Sequence, residues 1–91
     1  MLLPANEISE SMKAVPQWSL QDSSITRLFT FKEFLQAIDF VNRVAQVAEA
    51  SDHHPDMFIS YNKVKLDLST HRDGGLTRKD FDLAAKVDRL I

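Results

Sequence analysis

The sequence has no cysteine. Disulfides, thiolate metal sites and cysteine nucleophiles are excluded together. The absence is compatible with a reducing compartment, and a cytoplasmic location is expected. Glycine occurs twice and proline three times, which leaves no low-complexity linker. No internal repeat is visible. A cationic excess is also missing: 11 Lys and Arg stand against 13 Asp and Glu, for a net charge of −2. Nucleic-acid binding therefore loses its electrostatic footprint. The opening MLLPANEISESMK has too short an apolar run for a signal peptide or a membrane span.

What remains fits one globular domain over residues 1–91. A hydrophobic share of 44% and a charged share of 26% are ordinary for such a domain. A chain of this size buries somewhat over ~60% of its unfolded surface, enough for a single core.

Hydrophobic spacing divides the chain into seven elements. Residues 5–14 read as a short polar helix after Pro4, with Ile8 and Met12 one turn apart and Pro16 beyond its end. Trp18 and Leu20 share a face of a short strand, Asp22-Ser23-Ser24 is a turn, and Ile25 to Phe29 is a second strand, giving a hairpin. Thr30 and Glu33 have capping-box spacing and Phe29 and Phe34 staple spacing, so a long helix is expected from near Phe31 to near Ser51. Phe34, Ile38, Val41, Ala45 and Ala48 form its main stripe, widened by Leu35, Phe40, Val44 and Val47. So broad an apolar surface suits a core element that also touches a partner. Two alternating strands follow, around Met57, Ile59 and Tyr61 and around Val64, Leu66 and Leu68, linked at Asn62–Lys63. After the loop Asp73-Gly74-Gly75, Thr77 caps a last helix with Asp80 in the box position and Leu76 and Phe81 as staple partners. The order α-β-β-α-β-β-α, with helices on one face of an antiparallel sheet, is an α+β fold.

All three histidines lie in the stretch EASDHHPDMFISYNKVKLDLSTH, residues 49–71. Pro55 forces His54 out of helical conformation, so the chain turns sharply there. His71 ends the second strand of the following hairpin, on the parity of Lys65, Asp67 and Ser69. Hairpin topology thus brings His71 toward His53 and His54, with Glu49 one helical turn before them. Three readings stay open. The imidazoles are solvated side chains at element ends, or a general acid and base, since imidazole titrates near neutral pH. In the third, they join Glu49 on a zinc ion. Adjacent histidines followed by proline lack the usual ligand spacing, which disfavours that one.

Glu49, His53-His54-Pro55, Tyr61-Asn62-Lys63-Val64 and Ser69-Thr70-His71 together resemble the signature of the pterin-4a-carbinolamine dehydratases. VPQWSL, FTFKEF, FVNRVAQVAEASDHHPD and GGLTRKDFDLA are similar to family segments as well, so the resemblance spans roughly residues 14–88. It implies a four-stranded antiparallel sheet with helices on one face. It also implies dehydration of 4a-hydroxytetrahydropterin to quinonoid dihydropterin, in support of an aromatic amino-acid hydroxylase such as phenylalanine hydroxylase. No metal or organic cofactor is implied. Carried over, His53 and His71 are the candidates for proton transfer and His54 for holding the substrate. Glu49 lies close enough to tune an imidazole. Asp52, Ser69 and Thr70 are candidate polar contacts to the pterin, the alternative being that Asp52 caps the helix and Ser69 and Thr70 are ordinary strand residues. Trp18 reads as core or pocket wall and Arg78 as solvated. A homo-oligomer, dimer or tetramer, is expected, with no nucleic-acid or membrane partner. Two other roles known in the family stay in view: a dimerisation cofactor of a transcription factor, and a function tied to molybdopterin.

Overall fold

A computed structural model describes residues 1–91. The expected order is present: α1 Ala5–Met12, β1 Ser19–Gln21, β2 Ser24–Thr30, α2 Phe34–Ser51, β3 Asp56–Ser60, β4 Lys63–Leu68 and α3 Arg78–Asp88. The four strands form one antiparallel sheet in the order β1-β2-β4-β3. β4 therefore sits between β2 and its own hairpin partner, and α2 carries the chain across to the far edge. No helix is long and apolar enough to cross a membrane.

Strand alternation decides which side chains face the helices. Ile25 and Phe29 of β2 register with Leu68 and Val64 of β4, and Leu66 lies between those two. All five are buried. α2 and α3 cover this face, adding Ala37, Phe40, Val44, Phe81, Leu83, Ala84 and Val87 to one continuous core. The rings of Phe29 and Phe40 lie 4.6 Å apart, and Trp18 meets Phe29 edge-on at 6.2 Å. Trp18 is thus a core residue. Its indole N–H donates to Asp88 Oδ1 at 2.8 Å, an oxygen that also accepts from Arg27 Nη1 at 2.7 Å. That shared carboxylate ties β2 and the residue preceding β1 to α3.

Local expectations failed where long-range pairing competed. Thr30 does not cap α2, because it is still in β2, registered with Lys63. α2 starts three residues later than expected, at Phe34, without a side-chain cap. Phe29 is committed to the core and Phe34 is exposed, so no staple forms. The inward row of α2 is Ala37, Phe40, Val44 and Ala48, rotated from the expected main stripe. Leu20 is half exposed although Trp18, on the same parity, is buried. The second hairpin turns at Tyr61–Asn62, one residue earlier than read, since Ser60 pairs with Lys63. Tyr61 takes the left-handed backbone there, at φ 50°.

Candidate active site

The end of α2 sets the position of His53. Asp52 adopts φ 51°, its N–H bonds Glu49 O, and the His53 N–H reaches back to Ala48 O, each at 3.2 Å. This pair of bonds is a Schellman closure, with Asp52 in the left-handed position that asparagine and aspartate tolerate better than most residues. The helix end is satisfied and the imidazole emerges in a fixed direction. Pro55 then releases the chain into β3.

The imidazole meets a partner that the sequence reading had assigned only as a helix cap. His53 Nε2 lies 2.6 Å from Asp80 Oδ1. Asp80 is fully buried. Its other oxygen accepts the Thr77 backbone N–H at 2.9 Å and the Thr70 hydroxyl at 2.9 Å. The hydroxyls of Thr70 and Thr77 are 2.7 Å apart, and Thr77 Oγ1 also accepts the Lys79 N–H at 3.3 Å. One consistent proton assignment follows. Thr77 donates to Thr70, Thr70 donates to Asp80, and His53 donates its Nε2–H to Asp80. The neutral ring then keeps its lone pair on Nδ1. The capping box of α3 thus has a second use, since the same carboxylate orients His53 and fixes its tautomer.

A clue to this role stands in the sequence. Asp80 shares the helix face of Leu83, Ala84 and Val87, all buried. A carboxylate on an apolar stripe is almost never buried unpaired, so its spacing asks for a partner elsewhere in the chain.

The remaining candidates are distributed around this anchor. His54 Nε2 contacts Glu49 Oε1 at 2.8 Å, with both side chains largely exposed. His71 lies in the turn after β4, its Nε2 4.0 Å from Asp56 Oδ2. Asp56 and Asp67 are registered at the open end of the β3–β4 hairpin, so the hairpin does bring His71 toward the histidine pair. Ser69 Oγ donates to Ser23 O at 2.9 Å. Thr70 serves the Asp80 network rather than standing as an ordinary strand residue. Gly74, at φ 78°, and the bridge between Thr70 and Gly75 close the turn that carries His71.

Asp52, His53, His54, Ser69, Thr70 and His71 line one open cleft of about 610 Å³. Glu49 is outside that lining and touches it through His54. Arg78, read as solvated, is exposed but bonds Ser11 Oγ at 2.8 Å. The Met1 ammonium is hydrogen-bonded to Asp73, which holds that carboxyl below its ordinary range. No three His, Asp or Glu side chains are grouped closely enough to hold a metal ion. Two imidazoles in one cleft, one of them oriented by a buried carboxylate, can supply a proton donor and a proton acceptor to the same bound molecule.

Comparison with known proteins bears on the family and the fold. The sequence model of the family described as "Pterin 4 alpha carbinolamine dehydratase" matches residues 1–90. A Picosynechococcus protein provisionally named pterin-4-alpha-carbinolamine dehydratase is 54% identical over 88 residues, covering 97% of this chain and 96% of that one. A Sulfolobus acidocaldarius protein with the same provisional name is 40% identical over 90 residues, covering 99% of each chain. Among solved structures, a transcriptional coactivator/pterin dehydratase from Brucella melitensis superposes with a TM-score of 0.94 at 37% identity, covering 99% of this chain and 98% of that one.

Proposed function

We propose that this chain, which belongs to the pterin 4 alpha carbinolamine dehydratase family, removes water from a 4a-hydroxytetrahydropterin to give the quinonoid dihydropterin. The observation that carries the reading is the 2.6 Å contact of His53 with buried Asp80, in a cleft that His71 also lines. The bond from C4a to the hydroxyl oxygen breaks, and His71 protonates that oxygen so that it leaves as water. His53 Nδ1 takes the N5 proton, and the electrons of the N5–H bond become the C4a=N5 double bond. The substrate loses one water, and solvent returns the two imidazoles to their starting states. His54, steadied by Glu49, holds the ring. Asp52 and Ser69 offer polar contacts at the cleft wall, and Thr70 acts through Asp80.

The product is the oxidised form that a tetrahydropterin-dependent hydroxylase must have reduced again, so recycling for such an enzyme, in the cytoplasm, is the proposed setting. The test generates the 4a-carbinolamine with a hydroxylase and follows its decay with and without this chain. Faster decay, unchanged by a chelator, is expected. Equal decay rates would defeat the dehydratase reading and favour a binding role. Activity lost on chelation and restored by zinc would defeat the metal-free mechanism.

We also infer self-association into a dimer or tetramer. Leu35 is 71% exposed beside an apolar groove of about 500 Å³ that also includes Phe31, Phe40, Leu90 and Ile91. Phe58 is exposed on the uncovered sheet face. Light scattering at micromolar concentration should give a multiple of the 10.4 kDa chain mass, and a monomer would count against this.

A further inference from the structure

The two histidines proposed for proton transfer are held in place by different means. His53 is fixed through its own side chain, by the bond to buried Asp80. His71 has no such anchor: its side chain is 76% exposed, and the Asp56 carboxylate is 4.0 Å away. The place of that imidazole is therefore set by the backbone of its turn. The turn holds both glycines of the chain, Gly74 and Gly75, and glycine restricts the backbone least of all residues. The Thr70 N–H donates to Gly75 O at 2.8 Å and the Gly74 N–H to Thr70 O at 3.0 Å, which closes the turn on itself.

A segment distant in sequence closes on the same stretch. The Leu3 N–H donates to Leu76 O at 2.9 Å. Leu76 is buried, where a carbonyl without a donor is costly. Leu2 lies against Gly75: a Cβ at that glycine would stand 3.1 Å from Leu2 Cδ2, so the missing side chain is what lets the segment come so close. Met1 continues the line, bonded to Asp73 and lining the cleft. Residues 1–3 thus run beside residues 73–76. Leu3, Ile8 and Met12 are partly buried against the core, and Arg78 Nη2 donates to Ser11 Oγ at 2.8 Å, tying α1 to the start of α3. No residue of α1 is fully buried, so the hold on this arm is light.

We propose that Leu2 and Leu3 are positioning residues for His71. They brace the Gly75–Leu76 stretch, and through it the turn that places the imidazole at the cleft. Neither residue lines the cleft itself, so both act through the turn and take no part in proton transfer. The inference rests on the dehydratase reading, and adds to it a part of the chain that the histidine signature does not include.

The Leu2→Gly/Leu3→Pro protein removes both the side chain against Gly75 and the N–H on Leu76 O. Its kcat for dehydration should fall about tenfold, less than the roughly 10²-fold that a misplaced group can cost. KM should stay within about twofold of wild type, since the brace touches no substrate. His71→Ala should cost about tenfold less in this background than in the wild-type chain, because part of what His71 contributes is already gone. His54→Ala should cost the same in both. A readout free of activity stands beside these. The chain has three histidines, so each ring can be followed by NMR. The His71 signals should shift or broaden in the double variant while those of His53 stay in place. Leu2→Gly alone, at a side chain that is half exposed, should keep the fold and show the same change on a smaller scale. Asp88→Ala breaks the tie to Trp18 and Arg27 at the other end of α3. It should lower the melting temperature without moving the His71 signals, which separates bracing from a general loss of stability. Unmoved His71 signals in both brace variants would overturn the proposal. So would an equal change at His53, or an undiminished cost of His71→Ala. If the wild-type chain fails to accelerate dehydration while the brace variants do move the His71 signals, the dehydratase reading alone falls. Dehydration by the wild-type chain with unmoved signals removes the brace alone.

Discussion

Asp80→Asn should slow dehydration by about 10²–10⁴-fold, the range of one proton-transfer group lost or wrongly oriented. It should also lower stability by about 1–3 kcal/mol, the cost of a buried hydrogen-bonding group left poorly paired. The carboxylate accepts from three sides, with Thr70 and the Thr77 N–H on one oxygen and His53 on the other. An amide can keep only one side of that arrangement. If its oxygen serves Thr70 and Thr77, its NH₂ faces His53 Nε2, which must then accept. The imidazole proton moves to Nδ1, and the nitrogen assigned to take the N5 proton can no longer do so. If the amide is flipped, His53 keeps its tautomer but the Thr70 hydroxyl and the Thr77 N–H face an NH₂ group, and the capping box of α3 loses its carboxylate half. Asp80→Ala should be less stable still, since no acceptor remains for any of the three. Asp82→Asn, two residues on and exposed, is the control and should change neither property. Thermal unfolding by circular dichroism, paired with turnover, separates the two effects. A folded Asp80→Asn protein with wild-type turnover would remove Asp80 from the site and leave it a helix cap.

How much of this was legible in the sequence depended on the range of the interaction. The cap at Thr77 and Asp80 could be read because its bonds span three residues. The cap proposed at Thr30 used the same logic and failed, because the β2–β4 ladder holds Thr30 in the sheet. The phase of α2 was misread for a related reason. Phe34 and Leu35 are large and apolar, and spacing alone draws them inward. The packed face instead carries Ala37 and Ala48 at its two ends, small side chains that let the helix approach its neighbours closely. Asn62 was read as part of a turn signal. Its carbonyl accepts the Phe31 N–H and its side-chain amide donates to Phe31 O, both at 2.8 Å, so it fastens the hairpin to the entry of α2. The gathering of His53, His54 and His71 could be foreseen because a hairpin returns to its start. The partnership of His53 with Asp80 crosses 27 residues and two elements, and no spacing rule reaches that far.

The two histidines proposed for proton transfer should respond differently to removal, because the fold treats them differently. The His53 side chain is 11% exposed and is bonded to a fully buried carboxylate, whereas the His71 side chain is 76% exposed. His71→Ala should therefore leave stability within about 0.5 kcal/mol of wild type, as for surface substitutions generally, while slowing dehydration about 10²–10⁴-fold. His53→Ala should slow it to a similar degree and also destabilise by about 1–3 kcal/mol, because buried Asp80 loses a donor. In both, turnover should fall more than binding weakens, since proton transfer acts in the transition state. His54→Ala should chiefly raise KM, as expected of a side chain that holds the ring from the exposed rim. The dehydration also runs without a catalyst, and that background limits how large any measured loss becomes. The double change His53→Ala/His71→Ala should consequently cost far less than the product of the single effects, because both side chains serve one exchange of protons. Melting curves and pre-steady-state decay of the carbinolamine on the same samples would decide it. Multiplicative losses would mean that the two histidines contribute independently to one barrier. Wild-type turnover in folded His53→Ala and His71→Ala proteins would withdraw the catalytic assignment and leave the cleft as a binding site alone.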